Sequence, residues 1–317
     1  MTITDRIDNI TLVPNERMDT VIPAPKSVKL ELTSRCNYRC NFCSLKDRDS
    51  PSNQDMDFEF FKRITVEMNA AGVEEIGVFY IGESATNPDL LVKAIKHVKD
   101  VGFPYCFLTT NGSLMDPYLS EACMRAGLDS LKFSINAADA EQFERVMGVK
   151  GKLFEKALRN VAAAKVVRDF HKFKCGLYAS SIQYDGEQAQ KMQALLDERV
   201  LPYVDEHYFL PLFGQMAQLD EERSTELGFV PTAGNQGRIG ALRPPLPCWA
   251  VMTEGHIRAD GHMSACCFGA DDKFDMGDMN TQSFMEAWNS QPFRELRLAH
   301  LAQDVSGTVC EKCVAYG

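Results

Sequence analysis

From Ser27 onward the chain alternates between short β-rich runs and longer stretches whose apolar positions recur with a helical period. The runs Ser27–Thr33, Glu75–Tyr80, Tyr105–Thr109, Ser130–Ile135, Phe173–Ser181 and Asp205–Leu210 read as strands. Between them, Phe58–Ala71, Pro88–Val101, Asp116–Ala126, Ala140–Val146 with Leu153–Asp169, and Glu187–Glu198 read as helices. Strands alternating with helices predict a parallel sheet with crossover helices. The order suits either an open doubly wound sheet or a partial barrel. Barrels of this kind gather their reactive groups at the C-terminal ends of the strands.

The two ends of the pattern differ from its middle. Residues 1–26 are mostly polar, with Asp5, Arg6, Asp8, Glu16, Arg17 and Asp19. They form an extension without the apolar core of a signal peptide, too short for a recognition domain with its own core. Leu210–Pro247 lacks periodicity and holds Gly214, Gly228, Gly234, Gly237 and Gly240, then Arg243-Pro244-Pro245-Leu246-Pro247. It reads as a connection into a second, smaller unit. There Ala250–Arg258, a turn at Ala259-Asp260-Gly261 and His262–Cys266 predict a hairpin, Asp-Gly being a strong hairpin signal. Ser283–Leu301, with Phe284, Ala287, Trp288, Phe293 and Leu296, predicts one amphipathic helix.

With 317 residues, 45% hydrophobic and 25% charged, the chain has an ordinary globular composition and room for one large domain plus a smaller one. A net charge of −10 argues against a nucleic-acid partner held through phosphate contacts. No apolar run approaches the roughly 18 residues of a membrane span. These features predict a cytoplasmic protein. Eleven cysteines in such a chain read as metal ligands or reduced core thiols rather than disulfides.

The chemistry begins at Cys36, Cys40 and Cys43, in the spacing CxxxCxxC. Three thiolates are one short of a [4Fe–4S] ligand set and leave one iron open to a small molecule. A zinc knuckle or three incidental thiols would share the spacing. In its context the run resembles the cluster loop of the radical S-adenosylmethionine (SAM) enzymes, and Phe42 matches the aromatic that family carries before its third cysteine. The resemblance implies that SAM binds the open iron. It also implies the fold: α/β, a partial (β/α)6 TIM-like barrel. After the second predicted strand, Ile81-Gly82-Glu83-Ser84 is similar to the family's Gly-Gly-Glu-type motif, with Ile81 where a glycine often stands. Gly82 and Glu83 are thereby implied to hold the SAM ammonium group. After the third, Thr109-Thr110-Asn111-Gly112 is implied to turn over the SAM site. After the fourth, Ser134 and Asn136 are implied to contact its ribose and carboxylate. Each run alone would pass for an ordinary turn.

A second set follows: Cys248, Cys266, Cys267, Cys310 and Cys313. The hairpin brings Cys248 and Cys266 close together, and the CxxC of Cys310 and Cys313 completes four thiolates. Such a set suits zinc as well as iron–sulfur. It resembles the twitch unit, a shortened SPASM extension of radical SAM enzymes, which implies one auxiliary [4Fe–4S] cluster and so two [4Fe–4S] clusters in all. On this basis the chain divides into an extension (1–26), a radical SAM barrel (27–212), a linker (213–246) and a hairpin-plus-helix cluster domain (247–317). Cys266 and Cys267 compete as the second ligand; spacing after Gly261 favours Cys266, and Cys267 is then a spare thiol, either a small buried apolar residue or a hydrogen-atom donor. Cys106, Cys123 and Cys175 read as core.

The resemblance to twitch-bearing aminocyclitol dehydrogenases points to dehydrogenation or epimerisation of a small polar metabolite such as a sugar or cyclitol. It implies flavodoxin or ferredoxin as external electron donor. Modification of a ribosomally made peptide is the second enzyme reading; a non-enzymatic iron–sulfur or zinc protein is the third. Glu206, His207, Tyr178, Arg238 and Arg243 read as solvated charges or structural hydrogen bonds rather than a base.

Overall fold

The computed structural model describes residues 2–47, 53–213, 234–269 and 271–313; residues 214–233 of the expected linker lie outside them. Six parallel strands form the body: β1 (Ser27–Leu30), β2 (Glu75–Gly77), β3 (Tyr105–Thr110), β4 (Ser130–Ser134), β5 (Gly176–Ile182) and β6 (Glu206–Leu210). They lie side by side in chain order. The crossovers are α2 (Phe58–Ala71), α3 (Pro88–Val101), α4 (Pro117–Arg125), the pair α5 (Ala140–Met147) and α6 (Lys152–His171), and α7 (Gly186–Arg199). Local sequence sets their ends. Asp57, Asn87, Asp116 and Asp139 each accept a hydrogen bond from the first turn of the following helix. This is the partial barrel expected.

The C-terminal unit is not set apart from the barrel in the way the hairpin suggests. Strand β7 (Glu254–Ile257) lies parallel to β1, with Ser27 opposite Glu254 and Leu30 opposite Ile257. Antiparallel β8 (His262–Ser264) and β9 (Asp275–Asp278) follow, giving one nine-stranded sheet in the order β6-β5-β4-β3-β2-β1-β7-β8-β9. Strand β1 is thereby flanked on both sides, and its backbone groups are not left as an open edge. The hairpin's first strand is shorter than expected because Trp249–Val251 folds into a 3-10 turn. Thr253 Oγ1 donates to the Trp249 and Ile10 carbonyls and ends that turn.

Two elements depart from the sequence pattern. The helix expected over Ser283–Leu301 is two helices, α8 (Phe284–Trp288) and α9 (Gln291–Leu301). Pro292 has no N–H to give the Trp288 carbonyl; that carbonyl instead accepts from Arg297 Nη2 at 2.8 Å. The extension contains a helix, α1 (Ile3–Thr11), closed at its start by a capping box of Thr2 and Asp5. It docks under the barrel. Glu206 accepts from the Ile3 backbone N–H at 2.9 Å, Arg6 pairs with Glu75 at 2.7 Å, and Asp8 pairs with Arg238 at 2.6 Å. One apolar core runs through the molecule, from Ile10 through Leu30 and Leu108 to Trp288 and Phe293.

Candidate active site

The loop that leaves β1 carries Cys36, Cys40 and Cys43, and backbone contacts fasten it at several points. At its base, Arg35 forks onto Asp55 at 2.5 and 2.6 Å, and the Ser34 N–H donates to the Gln54 carbonyl at 2.9 Å. On the far side, the Arg39 and Asn41 N–H groups donate to Met147 and Val146 at the end of α5, at 3.1 and 2.9 Å. Tyr38 is buried edge-on against Phe143. Phe42 is partly buried against the core.

The loops after β2 and β3 grip the same segment. A Cβ at Gly82 would collide with the Thr33 carbonyl oxygen and lie 2.9 Å from that of Arg35. Only glycine therefore lets this loop come so close, and the Glu83 N–H then donates to Arg35 at 2.8 Å. The buried Glu83 carboxylate accepts from Thr110 Oγ1 and the Asn111 N–H, both at 2.8 Å, and from the Ala85 N–H at 3.2 Å. Asn111 Nδ2 donates to Asn37 Oδ1 at 2.8 Å, beside Cys36. Thus Gly82, Glu83, Thr110 and Asn111 converge on the cysteine loop. After β4, Asn136 Oδ1 accepts from Ile182 and its carbonyl from Tyr184, tying β4 to β5; Ser134 pairs in register with Ser180.

Burial dominates the electrostatics here. It pushes the Cys36 thiol up to about 12, raises Cys43, and raises Cys40 further still, with neighbouring thiols adding to the effect on Cys36 and Cys40. Burial also raises Glu83 against its hydrogen bonds. Three crowded thiols that resist ionisation need a cation to become thiolates, and iron supplies one. Among the described residues, Glu83 has only neutral donors, a setting that suits an ammonium ligand. Among those residues no three Cys, His, Asp or Glu side chains form a ready-made metal cage, so iron is indicated by thiol chemistry rather than by ligand distances.

The C-terminal thiols assemble from separate elements. Cys248 precedes the 3-10 turn, Cys266 follows β8, and Cys310 and Cys313 lie beyond α9. All four are buried, and Cys310 interacts electrostatically with Cys248, Cys266 and Cys313. His300 joins them; burial pushes its imidazole down to about 4. Cys310 thus interacts with each of the other three residues expected to hold an auxiliary cluster, without the four forming a ready-made metal cage.

Between the first strand residues and the auxiliary thiols lies a cavity of about 190 Å³. Its wall includes Lys29, Glu75, Thr109, Lys132, Tyr208, Glu254 and Cys267, with aromatic groups from Phe79, Phe107, Phe213 and Phe268. Helix α1 supplies Ile3, Arg6, Ile7 and Ile10 to it. Lys29 meets Glu254 at 2.7 Å, and the same carboxylate oxygen is 2.8 Å from His256 Nε2. Burial opposes the charge on Glu254, but Lys29 and His256 outweigh it and hold the carboxyl down at about 2. Burial lowers His256 and keeps it neutral. A neutral ring beside a carboxylate donates from Nε2, which leaves Nδ1 as an acceptor; that atom is buried with no hydrogen-bond partner among the described residues. Lys132 donates to the Tyr208 hydroxyl at 2.8 Å.

Of the sequence candidates, Cys267 alone lines this cavity. Glu206 anchors α1, Arg238 pairs with Asp8, Arg243 donates to Thr11 and Asp8, and His207 meets Ser181 at 2.9 Å. Tyr178 is not part of the cavity wall. Lys29, Lys132, Glu254 and His256 escaped the sequence reading. For the two lysines the signal was a charged residue between apolar neighbours within a strand, Val28-Lys29-Leu30 and Leu131-Lys132-Phe133, which period-two alternation turns inward.

Three thiols stand on the loop after β1 of a parallel partial barrel and four more lie beside it, a set whose chemistry suits iron–sulfur ligation. Residues 30–170 match the radical SAM superfamily, and residues 248–314 match the SPASM iron–sulfur cluster-binding domain. The chain thus carries a radical SAM domain and a C-terminal SPASM unit, and the two domains imply a [4Fe–4S] cluster with SAM and auxiliary iron–sulfur binding. GTP 3′,8-cyclase of Marinobacter nauticus is 32% identical over 120 residues, 38% of this chain and 36% of that protein. The chain therefore spans little more than a third of that curated relative. The crystal structure of BtrN in complex with AdoMet and 2-DOIA superposes with a TM-score of 0.61 at 14% identity, over 91% of this chain and 92% of that one. Streptococcus suis SuiB bound to precursor peptide SuiA gives 0.64 at 12%, over 93% and 71%. These two likenesses establish the fold. Among the described residues no helix is long and apolar enough to cross a membrane.

Proposed function

We propose that the enzyme dehydrogenates or epimerises a small polar metabolite, sugar- or cyclitol-like, at a carbinol or amino carbon. The observation that carries this reading is the small cavity with its charged wall, bounded below by α1 and bordered by Cys267. Its volume suits one small molecule better than a peptide segment. Cys36, Cys40 and Cys43 would hold the SAM-binding cluster, with Gly82, Glu83, Thr110 and Asn111 around SAM and Ser134 and Asn136 toward its ribose and carboxylate. Cys248, Cys266, Cys310 and Cys313 would hold the auxiliary cluster, with flavodoxin or ferredoxin as external donor. When bound, the first cluster and SAM supply a 5′-deoxyadenosyl radical that removes a substrate hydrogen atom, and the second cluster supplies a one-electron acceptor.

The chain's own residues complete the reaction. Loss of a hydrogen atom from an alcohol carbon leaves a carbon radical that still bears O–H. Loss of that proton and one electron gives the ketone. In this reading Glu254, ionised beside Lys29 and hydrogen-bonded to His256, takes the proton. Lys132 and Tyr208 present a cation and a hydroxyl to substrate oxygen atoms. The alternative outcome, epimerisation, instead takes one hydrogen atom from a thiol, a role for Cys267 in the wall, whose thiyl radical would regain one electron from the external donor by way of the auxiliary cluster and one proton from water.

Anaerobic reconstitution with iron and sulfide analysis, paired with a dithionite-driven SAM cleavage assay, tests the class. About eight irons per chain, the content of two [4Fe–4S] clusters, is expected with 5′-deoxyadenosine formed. Zinc without cleavage would overturn the reading. Once a substrate is found, Glu254→Gln should lower ketone formation by about 10²-fold or more and leave uncoupled SAM cleavage intact. Cys267→Ala should spare a dehydrogenation and stop an epimerisation. If 5′-deoxyadenosine release depends instead on a basic leader peptide, the peptide-modifying reading replaces this one.

A further inference from the structure

The last turn of α9 places His300 between two of the four C-terminal cysteines. Its ring is fully buried. The backbone N–H of Cys248 donates to His300 Nδ1 at 3.1 Å. A backbone amide can only donate, so Nδ1 must offer a lone pair and the ring proton must sit on Nε2. Nε2 faces Cys310 Sγ at 3.4 Å. One contact thus fixes the tautomer that makes the other a donor. The helix carrying the ring is itself anchored: the buried Arg297 guanidinium donates to the Val251, Trp288 and Thr20 carbonyls at 2.9, 2.8 and 3.0 Å. Val251 ends the 3-10 turn that begins next to Cys248. Helix α9 therefore sets the Cys248 backbone and the Cys310 sulfur in one frame.

We propose that His300 is a positioning residue that raises the reduction potential of the auxiliary cluster through an Nε2–H···Sγ hydrogen bond to Cys310. This rests on the reading that Cys248, Cys266, Cys310 and Cys313 hold that cluster. Reduction adds negative charge that spreads onto the thiolate sulfurs. A donor aimed at one sulfur favours the reduced state over the oxidised one, and hydrogen bonding to sulfur is one of the levers that set cluster potentials. The site is buried, where such a bond is electrostatically stronger than in water. In the proposed reaction this bond makes the cluster a better acceptor for the substrate electron.

The test uses the full chain carrying Cys36→Ala, Cys40→Ala and Cys43→Ala, so that only the auxiliary cluster is reconstituted. In that background His300→Leu should retain about four irons and show a midpoint potential shifted to more negative values in an EPR-monitored titration. His300→Gln, whose amide can donate, should recover part of the shift. Unchanged potentials with iron retained would overturn the proposal. If His300→Leu loses its iron, the unsubstituted ring decides. Pulsed EPR of the reduced, 15N-histidine-labelled protein should show a weakly coupled nitrogen and a nearby exchangeable proton. A strongly coupled, directly ligated nitrogen overturns the proposal, and so does no nitrogen coupling. A His300-intact protein that takes up no iron would instead sink the cluster reading beneath it.

Discussion

Replacing Cys36, Cys40 and Cys43 together with Ala is expected to reduce dithionite-driven formation of 5′-deoxyadenosine to the uncatalysed background, with about four irons left per chain. The expectation follows from where the sulfurs sit. They lie on one loop, after β1, encircled by the loops that carry Gly82, Glu83 and Asn111. The other sulfur described there is the Met147 thioether, 3.4 Å from Cys40 Sγ, and one thioether does not replace three thiolates. Most of the loop's fastening lies outside the thiols, in Arg35–Asp55, Ser34–Gln54 and the Arg39 and Asn41 contacts to α5; among the described residues the variant loses only the long Tyr38 N–H contact to Cys36 Sγ and the Cys40–Met147 contact. The variant should therefore stay folded, by circular dichroism and melting temperature, while losing one cluster. Cleavage that survived in the folded variant would remove the basis for a radical mechanism. Complete loss of iron would mean that the C-terminal thiols do not hold their own cluster.

The second large effect is expected at Gly82. Converting it to Ala puts a methyl group against the carbonyl oxygens of Thr33 and Arg35. Neither is a flexible side-chain end; both belong to backbone fixed by pairing with residues 54–56. Overpacking of this kind costs roughly 1–3 kcal/mol. The site can relieve the clash by moving the loop after β2 outward. That would break the Glu83 N–H bond to Arg35 and carry the Glu83 carboxylate away from Thr110 and Asn111. Gly82→Ala should therefore weaken SAM binding by tenfold or more, the equivalent of about 1.4 kcal/mol, and lower the melting temperature. Calorimetric titration with SAM measures the first, and a thermal scan the second. Wild-type affinity in this variant would show that the close approach of the two loops does not serve SAM.

Most of the barrel is legible in the sequence because its elements obey one rule each. Phe58–Ala71 and Pro88–Val101 have helical spacing, a capping side chain in front and glycine behind, and both fold over those residues. The cysteine runs are legible because ligand spacing is a local property. What was not legible depends on contacts between distant segments. Strand β9 (Asp275–Asp278) carries one apolar residue, Met276, and exists because β8 pairs with it. The pairing of β7 with β1 joins segments that no local pattern connects. The cavity wall assembles from single residues on six strands. Helix α1 is a different case. Ile3, Ile7 and Ile10 have helical spacing, and Thr2 with Asp5 makes a cap; the surrounding charges hid them. Those same charges proved to be its anchors, since Arg6 and Asp8 are bound to Glu75 and Arg238. The helix expected through Pro292 failed for a reason the sequence did hold, because a proline lacks the donor its carbonyl partner needs.

The position of α1 has a consequence for the order in which the molecule can be assembled. Its first turn docks on Glu206, a separation of 203 residues, and Lys29 reaches its partner Glu254 across 225. During synthesis, α1 must therefore wait for β6 before this contact can form. Its isoleucine face stays uncovered while several strands emerge. Contacts so distant along the chain slow folding and lengthen the exposure of incomplete sheets. The floor of the cavity is therefore laid late, and the cavity takes its shape only after α1 has met β6 and Lys29 has met Glu254.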